Sequence, residues 1–171
     1  MPRSAPLPLD PIAEARRHWI EHGWDDAADG MAAVTSVMRA QQILQARVDE
    51  VLRPFGLTFA RYELLMLLTF SRRGSLPLSR ASARLQVHPT SVTNSVDRLV
   101  AAGLVERRRH PTDGRGRLVE LTDEGRRLAL AATERLNADV FCRPGLDAPG
   151  VRTLVTVVDD LRRTAGDFPD P

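Results

Sequence analysis

The stretch HPTSVTNSVDRL at 88–99 concentrates short hydroxyl and amide side chains, and RRRHPTDGRGRL at 107–118 concentrates guanidinium groups. Thr90, Ser91, Thr93 and Asn94 are the size and type of side chain that reaches base edges and phosphate oxygens. A helix face that meets only water usually carries Glu and Lys. The face formed by Thr90, Ser91, Thr93, Asn94, Asp97 and Arg98 carries neither. Between Arg98 and Arg117 stand six arginines against Glu106 and Asp113, a local cationic excess that suits a polyanion although the whole chain has a net charge of only +2. The chain contains no Lys, so all 24 basic residues are Arg, whose planar fork matches phosphate and guanine.

Other chemistry is poorly supported. His18 and His22 are four apart and could share a helix face as metal ligands do, but no third ligand accompanies them, so no metal is assigned. Cys142 is the single cysteine, which excludes an internal disulfide framework; it is expected to pack at the end of a helix. No phosphate loop, nucleophile motif or distinctive carboxylate pair is present, so no enzyme activity and no cofactor are expected. With 171 residues, 43% of them apolar and 27% charged, the chain is of ordinary globular composition. No apolar run approaches the roughly 18 residues a membrane span needs, and MPRSAPLPLDP lacks a signal peptide's apolar stretch. The expected location is the cytoplasm, with no membrane partner.

The candidate residues require elements to position them. A Pro-rich arm precedes a short amphipathic helix over 12–24, and Val34, Val37, Met38, Leu44, Val48, Val51 and Leu52 predict a long helix over 29–55 that Pro54 and Gly56 end. Thr58 caps a helix to about Ser71 whose Leu64, Leu65, Leu67, Leu68 and Phe70 should sit deep in a core. RRGSLP at 72–77 reads as a turn, and 79–85 as a short helix with Ala81, Ser82 and Leu85 inward. Pro89 opens the next helix, Val92, Val96, Leu99 and Val100 form its buried stripe, and Gly103 ends it. His-Pro-Thr recurs at 110–112, where HPTDGRG instead forms the loop of a hairpin with strands LVERRR and RLVELT. Thr122 caps a helix to about Phe141 through Leu128, Ala131, Ala132, Leu136 and Val140, and Val151, Leu154, Val155, Val158 and Leu161 form the stripe of a last helix.

Two short helices joined by a tight turn and followed by a basic hairpin is the order of a winged helix-turn-helix, in which the second helix presents its first residues to the major groove. Arg115, between two glycines at the hairpin tip, is placed to extend into a minor groove, with Arg107, Arg109 and Arg117 near the backbone. Ser79, Arg80 and His88 are assigned to the same interface.

Residues 77–128 resemble the DNA-binding core of MarR-family transcriptional regulators. The recognition-helix ending DRLVAAGLVERR, the wing motif Asp113-x-Arg115-x-Arg117 and the LT-x-EG that opens the following helix carry the resemblance, which extends over about 29–165. One departure is Gly114, where many members carry another Arg. The resemblance implies a mainly α fold with a small β-hairpin wing and N- and C-terminal dimerisation helices. Residues 1–28 are the arm and short helix, 29–56 and 123–165 the dimerisation helices, 57–122 the DNA-binding lobe, and 166–171 a tail. It implies a homodimer on a pseudo-palindromic operator of double-stranded DNA, a repressor released by a small anionic or phenolic ligand, with Asp113 holding the wing. Trp19, Arg39, Arg61 and Tyr62 are the ligand-binding candidates. The alternative is a winged-helix module whose basic wing meets an acidic protein.

Overall fold

The computed structural model describes residues 7–85, 89–109 and 117–168. In chain order these form α1 (Pro11–Glu21), α2 (Asp25–Leu52), α3 (Phe59–Thr69), β1 (Ser75–Pro77), α4 (Leu78–Leu85), α5 (Pro89–Ala101), β2 (Val105–Arg109), β3 (Arg117–Leu121), α6 (Asp123–Leu136) and α7 (Ala148–Thr164). The chain divides into two compact units, Met1–Arg47 and Val48–Pro171.

In the first unit Asp10 caps α1 by accepting from the Ile12 amide at 2.9 Å, with Pro11 at the first helical position, where its missing N–H costs nothing. Arg17 is ion-paired to Glu14 and Glu21, one turn away on either side, and Arg16 reaches Asp29 at 2.6 Å. The Arg17 guanidinium holds the Glu14 carboxyl below its ordinary range. α2 begins at Asp25, four residues earlier than periodicity predicts, with Asp25 and Asp26 in the first turn where the helix dipole favours negative charge. Val34, Val37, Met38, Ile43 and Leu44 along it are exposed.

The second unit holds a core in which Leu52, Leu64, Leu65, Leu68, Val92, Val96, Leu99, Val105, Val119 and Leu136 are fully buried. Each such side chain contributes about 1.5–3 kcal/mol relative to exposure. Thr58 caps α3, as expected, and the stripe of α5 reaches the core as predicted except at Val100, which is exposed. Phe70, expected inside, lies at the end of α3 with 78% of its surface exposed, because two residues past the buried Leu68 it points about 160° away from it around the helix. On α6 the buried positions are Gly125, Ala129, Ala132 and Leu136, so Ala129 rather than Ala131 faces inward. A π-helical turn over Asn137–Phe141 continues α6 and keeps Val140 buried. Cys142, which follows it, is exposed rather than packed. α7 starts at Ala148, capped by Asp147, three residues before its apolar stripe begins.

The segment read as a turn at 72–77 contains a third strand. β1 pairs antiparallel with β3 through Ser75↔Glu120, Leu76↔Val119 and Pro77↔Leu118, giving the sheet order β1-β3-β2. Pro77 is tolerated because β1 is an edge strand, where a missing N–H breaks no ladder bond.

The junction between α5 and α6 fixes the hairpin. Gly103, at φ 70°, takes the left-handed conformation that ends α5. The Thr122 hydroxyl donates to the Gly103 and Leu104 carbonyls at 2.9 and 3.0 Å and accepts from the Gly125 amide at 2.9 Å. A Cβ on Gly125 would stand 2.0 Å from the Leu104 carbonyl oxygen, so only glycine permits this approach. That contact is the physical content of the LT-x-EG motif.

Candidate nucleic-acid interface

α5 sets the interface. With Val92, Val96 and Leu99 buried, its outward face carries Thr90, Ser91, Asn94, Asp97 and Arg98, all exposed, with Thr93 half-buried at one margin. Ser79 and Arg80 stand in the first turn of α4, and Arg84 is exposed at its far end.

The hairpin register sorts the basic residues. Successive strand side chains point to opposite faces. Val105, Arg107 and Arg109 therefore share a face, and opposite them across the ladder stand Leu121, Val119 and Arg117. Val105 and Val119 are buried, so this is the face turned to the core, and its arginines lie beyond the apolar pairs. Arg107 Nη2 reaches the Asp97 carboxylate of α5 at 2.6 Å, tying strand to recognition helix. Arg109 stands directly opposite Arg117, and among the described residues neither has an ion-pair partner. On the reverse face Arg108 bridges Glu106 at 3.4 Å and Glu120 at 2.8 Å, neutralising two carboxylates that would otherwise oppose each other.

Three of the residues assigned to the interface from sequence, His88, Asp113 and Arg115, lie outside the described residues. The others, Ser79, Arg80, Thr90, Ser91, Thr93, Asn94, Arg98, Arg107, Arg109 and Arg117, belong to α4, α5 and the hairpin of the second unit. In the sequence Asp97 reads only as part of an exposed face; its bond to Arg107 depends on a contact between strand and helix that no local spacing signals. Ser95, half-buried beside Asn94, carries no signal of its own in the pattern.

The ligand-binding candidates divide between the units. Trp19 and Arg39 belong to the first, where the Trp19 and Trp24 rings meet edge to face at 5.4 Å and Arg39 donates to Gln42 at 3.1 Å. Arg61 and Tyr62 belong to the second. Tyr62 is buried, its hydroxyl 3.0 Å from Thr133 Oγ1, while Arg61 lines an open hollow with Asn94, Ser95 and Arg98. His18 lies between Glu14 and Glu21, and His22 Nδ1 is 2.7 Å from the His18 carbonyl oxygen; no group of three metal-binding side chains occurs among the described residues. Among the same residues no helix is long and apolar enough to cross a membrane.

Residues 55–116, from just before α3 to just before β3, match the sequence profile of the MarR family. An uncharacterized HTH-type transcriptional regulator, YhbI of Bacillus subtilis, is 37% identical over 121 residues, covering 69% of this chain and 76% of its own. The crystal structure of Sco5413, a MarR family transcriptional regulator from Streptomyces coelicolor, superimposes with a TM-score of 0.75 at 52% identity, over 83% of this chain and 99% of that one. Sco3205, a MarR family transcriptional regulator from the same organism solved in complex with DNA, superimposes with a TM-score of 0.68 at 26% identity, over 81% and 87% of the two chains. The exposed face of α5, the arginine-bearing hairpin beside it and these likenesses converge: the chain belongs to the MarR family of transcriptional regulators, proteins that bind and respond rather than catalyse.

Proposed function

We propose that the protein is a homodimeric repressor that binds a pseudo-palindromic site in double-stranded DNA. α5 enters the major groove, and the hairpin lies toward the adjacent minor groove. The observation that carries this reading is the outward face of α5, where Thr90, Ser91, Asn94 and Arg98 are exposed beside Arg109 and Arg117. Such side chains divide the work of recognition. Asn94 and its neighbours suit base edges, and the arginines suit phosphates. The domain assignment accompanies it, with 57–122 as the DNA-binding lobe and 29–56 and 123–165 as dimerisation helices. Val34, Val37 and Met38 on α2, and Leu154, Val155, Val157 and Leu161 on α7, are each left exposed in the single chain. Apolar rows of that kind support burial against a second copy. Two-fold symmetry then sets the half-sites about one helical turn, roughly 34 Å, apart.

Release by a small anionic or phenolic ligand belongs to the same reading, with Trp19, Arg39, Arg61 and Tyr62 as candidate contacts and the cytoplasm as the place of action. A ligand can release DNA only by binding more tightly to the arrangement of recognition helices that fits the operator poorly. The test is selection of duplexes from a random-sequence pool by the purified protein, followed by footprinting. A protected site with two-fold symmetry, and loss of base preference at particular positions by about 1–3 kcal/mol in Asn94→Ala, are expected. Binding no better than to random duplex at moderate salt would overturn the proposal.

A further inference from the structure

The open hollow between the start of α3 and the flank of α5 is lined by Arg61, Asn94, Ser95 and Arg98. Among the described residues no carboxylate lines it and neither guanidinium is ion-paired, whereas Arg16, Arg17, Arg107, Arg108, Arg162 and Arg163 all are. Arg61 is held in place from behind: its Nε donates to the capping hydroxyl of Thr58 at 3.1 Å, which leaves the two terminal nitrogens for something outside. Two guanidinium groups, an amide and a hydroxyl around one opening form a donor set for a phosphate-type oxyanion. Pockets for organic effectors are mostly apolar and enclosing. This one is polar and open.

The position of the hollow on α5 says which phosphate it would meet. At about 100° per residue, Ser95 on the hollow side and Asp97 on the hairpin side point about 160° apart around the helix axis. Asp97 is bonded to Arg107 of the hairpin. Asn94 and Arg98, which complete the hollow on α5, point about 60° and 100° from Asp97, so the hollow runs from the middle of the outward face to the flank away from the hairpin, with Thr90 on its hairpin side. A helix in the major groove, about 12 Å wide, runs between the two phosphate backbones. We infer that Arg61 is a DNA-contacting residue that, with Arg98, clamps a backbone phosphate on the strand opposite the one the hairpin meets. This rests on the DNA-binding reading above. It places α3, a helix outside the usual two-helix reading unit, in the interface, and it gives the recognition helix an anionic rail on each side.

The experiment uses full-length protein and a duplex carrying the site the protein itself selects. Single phosphates are replaced in turn by neutral methylphosphonate, and affinity is followed by fluorescence anisotropy across a salt series. Wild-type binding is expected to fall at one phosphate per half-site on the strand away from the hairpin. Arg61→Ala should weaken every duplex roughly tenfold without changing base preference, and should be indifferent to the neutral linkage at that phosphate. Its log–log salt slope should flatten by about 1–2 for the dimer, at about 0.9 per lost phosphate contact. Arg61→Lys, which keeps the charge, should recover most of the slope. Because Arg61 also contacts the α3 cap, the methylphosphonate scan on wild-type protein gives a readout that needs no variant. Failure of the wild type to select any site would overturn the DNA-binding reading and this inference with it. Selection by the wild type, with Arg61→Ala unchanged in affinity and slope or with no sensitive phosphate on that strand, would overturn the clamp alone.

Discussion

On one face of the hairpin Arg108 lies between Glu106 and Glu120; on the other, Arg109 stands across from Arg117, and among the described residues no carboxylate pairs with either. The two faces are built from the same strands and differ by one position in register. Like charges directly opposite in an antiparallel pair repel, by about 1 kcal/mol or less at this exposure. That cost persists in the free protein and is relieved when an anion arrives. The bridged face has no such reserve, because its cation already has partners. The contrast extends along the chain: on α1 Arg17 is held to Glu14 and Glu21, and on α7 Arg162 to Asp159 and Arg163 to Asp160, each carboxylate three or four residues away. On α4 and α5, Arg80, Arg84 and Arg98 have no ion pair among the described residues. An arginine paired within its own helix stabilises that helix slightly. An arginine left open beside a recognition helix is available to a polyanion.

The largest effect should come from removing the open pair. Arg109→Ala with Arg117→Ala takes two cations from the open face of each hairpin and, on the proposed DNA-binding reading, should lower affinity roughly a hundredfold or more, with a flatter salt dependence. The melting temperature should stay level or rise slightly, since the repulsion is gone. Anisotropy titrations and thermal melts measure both. A smaller effect is expected from Arg108→Ala: less than about threefold in DNA affinity, and a loss of about 1 kcal/mol or less of stability as Glu106 and Glu120 are left facing each other. If Arg108→Ala weakened DNA as much as the double variant, the division of the hairpin into an open and a closed face would be wrong.

Much of this arrangement is legible in the sequence, because its signals are local. Thr58 and Thr122 begin helices by bonding their own first turns, and Pro89 and Gly103 bound α5 through their backbone preferences. Strand alternation places Arg107 and Arg109 on one face once the hairpin is recognised, and the register then adds Arg117. What local patterns do not show depends on neighbours distant along the chain. β1 is three residues long and contains Pro77, and exists as a strand only because β3 offers it an edge. Phe70 and Val100 are exposed although both are apolar, because exposure follows from what packs against each helix face and not from composition. Asp97 and Arg61 each gain their place beside the recognition face from a second element brought alongside α5. The motif glycine Gly125 can be matched by pattern, but its reason, a carbonyl oxygen where a side chain would have to be, is tertiary.

The smallest expected effect asks what an unpaired charge costs when no outside partner relieves it. Glu63 on α3 is half-buried, with no hydrogen bond or ion pair among the described residues, and burial raises its carboxyl above the ordinary value of 4.5. A raised carboxyl means that the folded chain holds the proton to a higher pH than the unfolded chain does. The stability this confers is fully present below the unfolded value and is lost as pH rises through the folded one. At neutral pH the wild type therefore carries an ionised group in a site that disfavours it, and Glu63→Gln, which cannot ionise, should be the more stable. The gain should be less than about 0.5 kcal/mol, in the range of surface substitutions. It should shrink as pH falls through the carboxylate range, so melting curves of the two proteins should converge in acid and separate toward neutrality. DNA affinity should not change. A gain that persisted unchanged in acid would mean that the introduced amide acts by packing and that the charge costs nothing. Glu63 and the Arg109–Arg117 pair would then not be two cases of the same unrelieved electrostatics.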